Sequence, residues 1–258
     1  MHTYTFQLPN ADKNMGTVYL PNETANNCPI MVFCHGWGGD RVLSPANKVV
    51  CDTALSQGIA FVTLDFYGCG DTGGDYSGMT YGRWAENLAD LITWIEEQSF
   101  ADKNKIGCYS ISSGTTTALR LAAYDHRIAY VVSIATCISG PFGMNNGGPT
   151  KKFADHCREL VNGGKQEIFG VEFALDFFAD TIGNAPIHTI KNIECPVLIM
   201  QRMADNTFRL ADAKMAYDLL CQAERTVKYI EIPDGDHGLG NTIDQAVEYT
   251  FSWLQEIF

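Results

Sequence analysis

Several things are scarce in this chain, and each shortage rules something out. Basic residues number 18 against 30 acidic ones, a net charge of −12, which leaves no cationic face for a nucleic acid or an anionic membrane surface. No apolar run reaches the roughly 18 residues that a membrane-spanning helix needs. The opening "MHTYTFQLPNADKNMG" has neither the basic nor the apolar region of a secretion signal. None of the nine cysteines forms a CxxC pair, and Cys34, Cys108, Cys137 and Cys195 sit inside apolar runs. Buried free thiols in a reducing compartment account for that pattern better than disulfides or a zinc site, so a cytoplasmic location is expected. Internal repeats, low-complexity tracts and interdomain linkers are also missing, and 258 residues are expected to form a single domain.

What is present is a rhythm. "TYTFQLP" and "GTVYLP" alternate as two short antiparallel strands would. Continuous apolar runs at 29–35, 59–66, 105–111, 128–135, 195–200 and 226–232 then alternate with helical stretches. Among these, "TYGRWAENLADLITWIEEQ" carries Trp84, Leu88, Leu91 and Ile95 at helical spacing. Apolar strands alternating with amphipathic helices predict an α/β fold, a mostly parallel sheet covered on both faces. The rhythm breaks at about 139–190, where "FADHCRELVNGG" and "GVEFALDFFADTIG" read as helical. That stretch is expected to be a lid inserted over the carboxyl edge of the sheet, where open α/β folds bind ligands.

"YSISSGTTTALRLAA" (109–123) holds three serines where a strand gives way to a helix. A nucleophile held on a sharp strand-to-helix turn needs small residues two places before and two places after it. Ser113 fails, because Ile111 and Thr115 flank it; Ser110 would cut a buried strand short and lacks a glycine. Ser112, with Ser110 before and Gly114 after, satisfies the rule, although Ser110 replaces the first glycine of G-x-S-x-G. Taken alone, Ser112 is equally readable as a helix cap.

A serine nucleophile needs a base, and the base needs an orienting carboxylate. His237 lies in the glycine-flanked loop "DGDHGLG" after a strand, and Asp205 in the loop after the preceding strand. Asp234 and Asp236 are too close in sequence to His237 to reach its Nδ1 easily. The oxyanion that forms during attack needs backbone N–H donors. The amide of Ser113, at the helix start, and that of Trp37, in "HGWGGD", are the candidates. His35 beside this loop is expected to be structural, bonding the loop backbone.

The segments "HGWGGDR", "LDFYGCGDTGGDYSGMT", "SISSG", "CPVLIMQRMADN" and "DGDHG" resemble the α/β-hydrolase superfamily over nearly the whole chain. Within it they are most like the small bacterial feruloyl/cinnamoyl esterases. The chain order Ser112…Asp205…His237 is the order of that superfamily. The resemblance implies Ser112 as nucleophile, His237 as base, Asp205 as its partner, Trp37 and Ser113 as oxyanion hole, a short lid between the sixth and seventh sheet strands, and no cofactor or metal. One departure is "QR" at 201–202, where many relatives have His-Gly; Arg202 is open to a surface role, to pairing with Asp205, or to binding a substrate carboxylate.

The lid carries Phe142, Met144, Phe153, Phe169, Phe173, Phe177 and Phe178. Most of these are expected to form the lid's own core, with some facing an apolar cleft. Trp37, Phe142, Met144 and Arg202 are the candidate substrate contacts. The expected activity is therefore hydrolysis of short or aromatic acyl esters through an acyl-enzyme. Acyl transfer and peptide hydrolysis are the chemical alternatives on the same residues. A catalytically dead binding module is disfavoured by the presence of all three candidate residues in order. The expected partner is a small-molecule ester; monomer and homodimer both remain open.

Overall fold

In a computed structural model, which describes residues 2–144, 158–168, 170–238 and 240–258, the two opening segments form an antiparallel pair. These are β1 (His2–Gln7) and β2 (Met15–Leu20). The chain then alternates β3 (Cys28–Cys34), α1 (Pro45–Ser56), β4 (Ala60–Leu64), α2 (Tyr81–Glu96), β5 (Ala101–Ile111), α3 (Ser113–Ala122) and β6 (Ile128–Ile134). After an insertion come β9 (Val197–Arg202), α5 (Leu210–Gln222), β10 (Val227–Ile232) and α6 (Ile243–Ile257). The eight-stranded sheet has the order β1-β2-β4-β3-β5-β6-β9-β10. Only the β1–β2 and β2–β4 pairings are antiparallel.

Side chains of each strand alternate between two apolar cores, as the two-residue period of a strand requires. Ile30, Val32, Val62 and Ile199 pack with Leu88, Leu91 and Leu119 on one face. Met31, Phe33, Phe61, Leu198 and Met200 pack with Val50, Phe251 and Leu254 on the other. Local signals set the helix starts: the Thr80 hydroxyl accepts the Arg83 N–H at 3.1 Å, and that of Ser44 accepts the Asn47 N–H at 3.2 Å ahead of Pro45. No helix among the described residues is long and apolar enough to cross a membrane.

The insertion lies between β6 and β9, the sixth and seventh strands of the sheet. Its second half departs from the helical reading. Residues 166–173 form a hairpin, β7 (Gln166–Ile168) paired antiparallel with β8 (Val171–Phe173), and only then α4 (Leu175–Gly183). The cause is local. Gly170 takes φ +82, a left-handed conformation that glycine adopts without steric cost and that turns the chain back on itself. Residues 158–161 are helical; Phe153 and Phe169, and the side chain of Phe142, lie outside the described residues.

Candidate active site

β5 ends at Ile111 and α3 begins at Ser113, so Ser112 alone makes the turn, at φ +55 and ψ −125. A non-glycine residue is strained there, and surrounding contacts hold it in place. Its N–H donates to the Ile134 carbonyl at 2.9 Å, and its own carbonyl accepts both the N–H and the hydroxyl of Thr115, at 2.8 and 2.7 Å. The helix-cap reading of Ser112 does not hold, since its side chain makes no capping bond. Its Oγ lies instead 2.9 Å from Nε2 of His237.

The small flanks are explained by what presses on them. A Cβ at Gly114 would stand 2.1 Å from the Cys34 carbonyl oxygen, because the end of β3 passes directly beside the turn. Ser110 is buried in the strand and donates its hydroxyl to the Val132 carbonyl at 2.6 Å. Ser113 sits at the first position of α3, where a backbone N–H has no partner within its own helix. Its hydroxyl accepts from the buried phenol of Tyr81 at 3.2 Å and so ties the start of α3 to the start of α2.

His237 Nδ1 lies 3.0 and 3.1 Å from the two carboxylate oxygens of Asp205. The His237 side chain is 25% exposed and that of Asp205 only 1%. Asp205 is heavily bonded: Oδ1 accepts the N–H groups of Thr207 and Phe208 at 2.8 and 2.9 Å, and Oδ2 accepts Nε2 of Gln201 at 3.2 Å. Burial pushes this carboxyl up, but the bonds from His237 and from the Phe208 and Thr207 amides outweigh it and hold the group below the ordinary carboxylate range. Gln201 is fully buried, and its Oε1 accepts the Thr136 N–H at 3.1 Å, which fixes which end of the amide faces Asp205. Phe208 presents its ring at right angles to the His237 imidazole, with centroids 5.2 Å apart. Phe208 did not stand out by sequence, and Gln201 did so only as part of the departure at 201–202, with no role assigned to it. Their roles depend on contacts rather than on any motif.

Arg202 corrects an expectation. It is not a substrate contact but a buried side chain, 1% exposed, whose Nη1 donates to the carbonyls of Asp236, His237 and Gly238. Burial pushes the guanidinium downward, opposed by Asp205, Tyr109 and Asp236 nearby. Strand parity explains the direction: Leu198, Met200 and Arg202 share the face of β9 turned to α1 and α6. Arg202 therefore holds the loop that carries the histidine. We expect Arg202→Met to lower stability by about 2 kcal/mol, read as a Tm fall of about 5 °C, and to slow neutral and anionic esters alike. A loss confined to anionic esters would restore the substrate-carboxylate role.

The loop after β3 closes the other side. Gly36 lies so near the turn that a Cβ there would be 3.0 Å from that of Ser112, which places Trp37 next to the serine. His35 is buried, and its Nδ1 and Nε2 face the Gly36 carbonyl and the Phe66 N–H at 2.9 and 3.4 Å. Burial lowers its pKa, so a neutral ring that donates from Nδ1 and accepts at Nε2 satisfies both contacts; its place is structural. The Trp37 ring packs edge-on against Tyr76, Phe173 and Phe177, at 5.3, 5.1 and 5.8 Å between centroids. Met144 packs against Phe208, Ala135 and Cys137, and its backbone bridges to Phe208. The base of the insertion is further held by Asp212, whose carboxylate accepts the N–H groups of Ile138 and Ser139 at 2.5 and 3.2 Å and the Ser139 hydroxyl. Two polar clefts lie away from the serine, the larger of about 510 Å³ and lined by Asp12, Arg83, Asp90 and Arg120 among others.

Residues 15–158 match the model of the S15 family, the X-Pro dipeptidyl-peptidases. The chain belongs to that family. As an S15 member it carries the α/β-hydrolase fold, and its neighbours in that superfamily include esterases, acyltransferases and peptidases. A protein from Escherichia coli described as an uncharacterized 31.7 kDa protein in the traX-finO intergenic region is 26% identical over 242 residues, spanning 81% of this chain and 83% of its own. The polyketide transferase grgF of a Penicillium species is 25% identical over 129 residues, 48% of this chain and 44% of that one. Among solved structures, DcsB in complex with its substrate analogue superposes with a TM-score of 0.83 at 18% identity, covering 100% of both chains. Est1E from Butyrivibrio proteoclasticus with ferulic acid bound gives 0.76 at 16%, covering 97% of this chain and 98% of its own. At such identities the structural likenesses establish the fold of this S15 member and nothing finer.

Proposed function

We propose that this chain is a serine carboxylester hydrolase that acts through an acyl-enzyme on short or aromatic acyl esters. The observation that carries the reading is the hydrogen-bonded chain from Asp205 through His237 to Ser112, ending on a serine held at φ +55. Asp205 accepts the Nδ1 proton, which leaves Nε2 of His237 free to take the Ser112 proton as Oγ attacks the ester carbonyl. The oxyanion that forms is received by the N–H groups of Ser113 and Trp37, fixed donors that need no reorganisation as charge develops. His237 returns the proton to the departing alkoxide, and a water activated in the same way releases the acid. Protein groups supply every role, and the reading invokes no cofactor.

The aromatic wall of Trp37, Tyr76, Phe173 and Phe177 supports a planar acyl group, and the ferulic acid bound to Est1E points the same way. Acyl transfer is the second reading, favoured by the likeness to a polyketide transferase; peptide hydrolysis is the third, from the family model. We read the chain as one domain with 139–190 as its lid. A cytoplasmic location is supported by free thiols at eight described cysteines.

A panel of acetate, butyrate, ferulate and longer acyl esters, run with and without alcohol acceptors and beside X-Pro amides, tests the proposal. We expect aryl acetates and feruloyl esters to show the highest kcat/KM, with hydrolysis exceeding transfer. Faster turnover of amides than of esters, or transfer dominating in water, would replace the esterase reading with one of the others.

A further inference from the structure

The segment "GDYSGMT" (74–80) supplies the Tyr76 ring to the aromatic wall, and its phenol oxygen reaches further into the site. Tyr76 opens a short 3-10 turn, Tyr76–Gly78, that Asp75 caps by accepting the Ser77 N–H at 2.9 Å. Behind it the backbone is pressed against Gly68, where a Cβ would stand 2.8 Å from the Cα of Tyr76. From this fixed base the Tyr76 phenol oxygen accepts the N–H of Gly38 at 3.1 Å.

Gly38 follows Trp37 in the loop that faces Ser112, and it has φ +65. The Gly39 N–H donates to the Gly36 carbonyl at 3.1 Å, closing a turn over Trp37 and Gly38, and a Cβ at Gly38 would meet nothing within 4 Å. A glycine in an open loop is the most freely rotating point of a chain. The Gly36–Gly39 bond shapes this turn. The bond to Tyr76, with the Trp37 ring meeting the Tyr76 ring at 90° and 5.3 Å, anchors the turn from outside and so bears on the neighbouring Gly36–Trp37 peptide, whose N–H is the oxyanion donor. The lid presses on the same pair: Phe173 of β8 lies 5.1 Å from Trp37 and 6.2 Å from Tyr76.

We propose that Tyr76 is a positioning residue for the oxyanion hole: its phenol oxygen, by accepting the Gly38 N–H, holds the oxyanion loop so that the Trp37 amide stays aimed at the carbonyl oxygen of a substrate on Ser112. The inference rests on the serine-hydrolase reading above. Deleting an oxyanion donor outright costs about 10²–10³ in kcat. Loosening one that remains present costs less, and Tyr76→Phe, which keeps the ring and removes the acceptor, is expected to lower kcat about tenfold.

A positioning role makes a demand that a packing role does not. In Tyr76→Phe the KM of an aryl ester stays at its wild-type value while kcat falls. Binding of an aryl trifluoromethyl ketone, which forms a tetrahedral oxyanion on Ser112, weakens by the same factor, and binding of the product carboxylate is unchanged. A kcat within twofold of wild type overturns the proposal, as does a loss shared equally by the ketone and the carboxylate. Wild-type protein that neither hydrolyses aryl esters nor binds the ketone overturns the serine-hydrolase reading itself, a distinct result because it needs no variant.

Discussion

Replacing Ser112 by alanine is expected to lower ester hydrolysis by about 10⁵–10⁶ in kcat and to abolish covalent labelling by an active-site fluorophosphonate. The size follows from how the groups act. With Oγ gone, the proton that His237 would take has no source and no acyl-enzyme forms, so only the oxyanion donors and substrate binding remain to assist water. The fold should tolerate the change. Ser112 is bonded through its backbone to Ile134 and Thr115, and the hydroxyl touches only His237 among its described partners. Thermal melting of the variant should therefore match wild type. Full labelling in Ser112→Ala would place the nucleophile elsewhere and remove the basis of the esterase reading.

Asp205→Asn has the second largest expected effect, about 10⁴ in kcat at neutral pH, and here the surroundings dictate the result. The Thr207 and Phe208 N–H groups converge on Oδ1, so the asparagine must turn its oxygen to them. Its amide nitrogen then occupies the Oδ2 position, 3.1 Å from His237 Nδ1 and 3.2 Å from Nε2 of Gln201. Gln201 cannot reverse to receive it without losing the Thr136 N–H. Nδ1 also lies 3.0 Å from the oxygen at the Oδ1 position, but that atom already receives two N–H groups. Moving the imidazole proton to Nε2 lets Nδ1 accept from the new amide, and that tautomer cannot accept from Ser112. Stopped-time labelling and steady-state hydrolysis should fall together. Activity within about tenfold of wild type would mean that another carboxylate orients the ring.

The sheet was legible in the sequence because each buried strand is a continuous apolar run and each covering helix has its own stripe, as with Trp84, Leu88, Leu91 and Ile95. That Ser112, Asp205 and His237 meet was legible for a related reason: each follows a strand of one parallel sheet, and register sets the strand ends beside one another, Cys34 opposite Ser110 and Ser110 opposite Ser133. The hairpin at 166–173 was not. Phe169, Phe173 and Phe177 have helical spacing, and a single glycine at positive φ outweighed it. The direction of Arg202 could have been read from strand parity, but the carbonyls it meets come from a loop 34–36 residues further on. No local pattern records such a contact. The same holds for Gln201 with Thr136, and for Tyr76 with Gly38.

The base of the insertion between β6 and β9 and the loop that carries Asp205 are joined at three places among the described residues: the Asp212 carboxylate on Ile138 and Ser139, the Arg209 N–H on the Gly143 carbonyl at 2.8 Å, and the backbone bridge between Met144 and Phe208. Phe208 in turn touches both Asp205 and His237. This removes the boundary at which a designer would cut. An insertion borrowed from a relative and spliced at the ends of β6 and β9 would arrive without its counterpart, so the transplantable piece is discontinuous in sequence. It comprises the insertion's first leg, 138–144, together with 205–212, and an exchange that keeps their packing moves both segments at once.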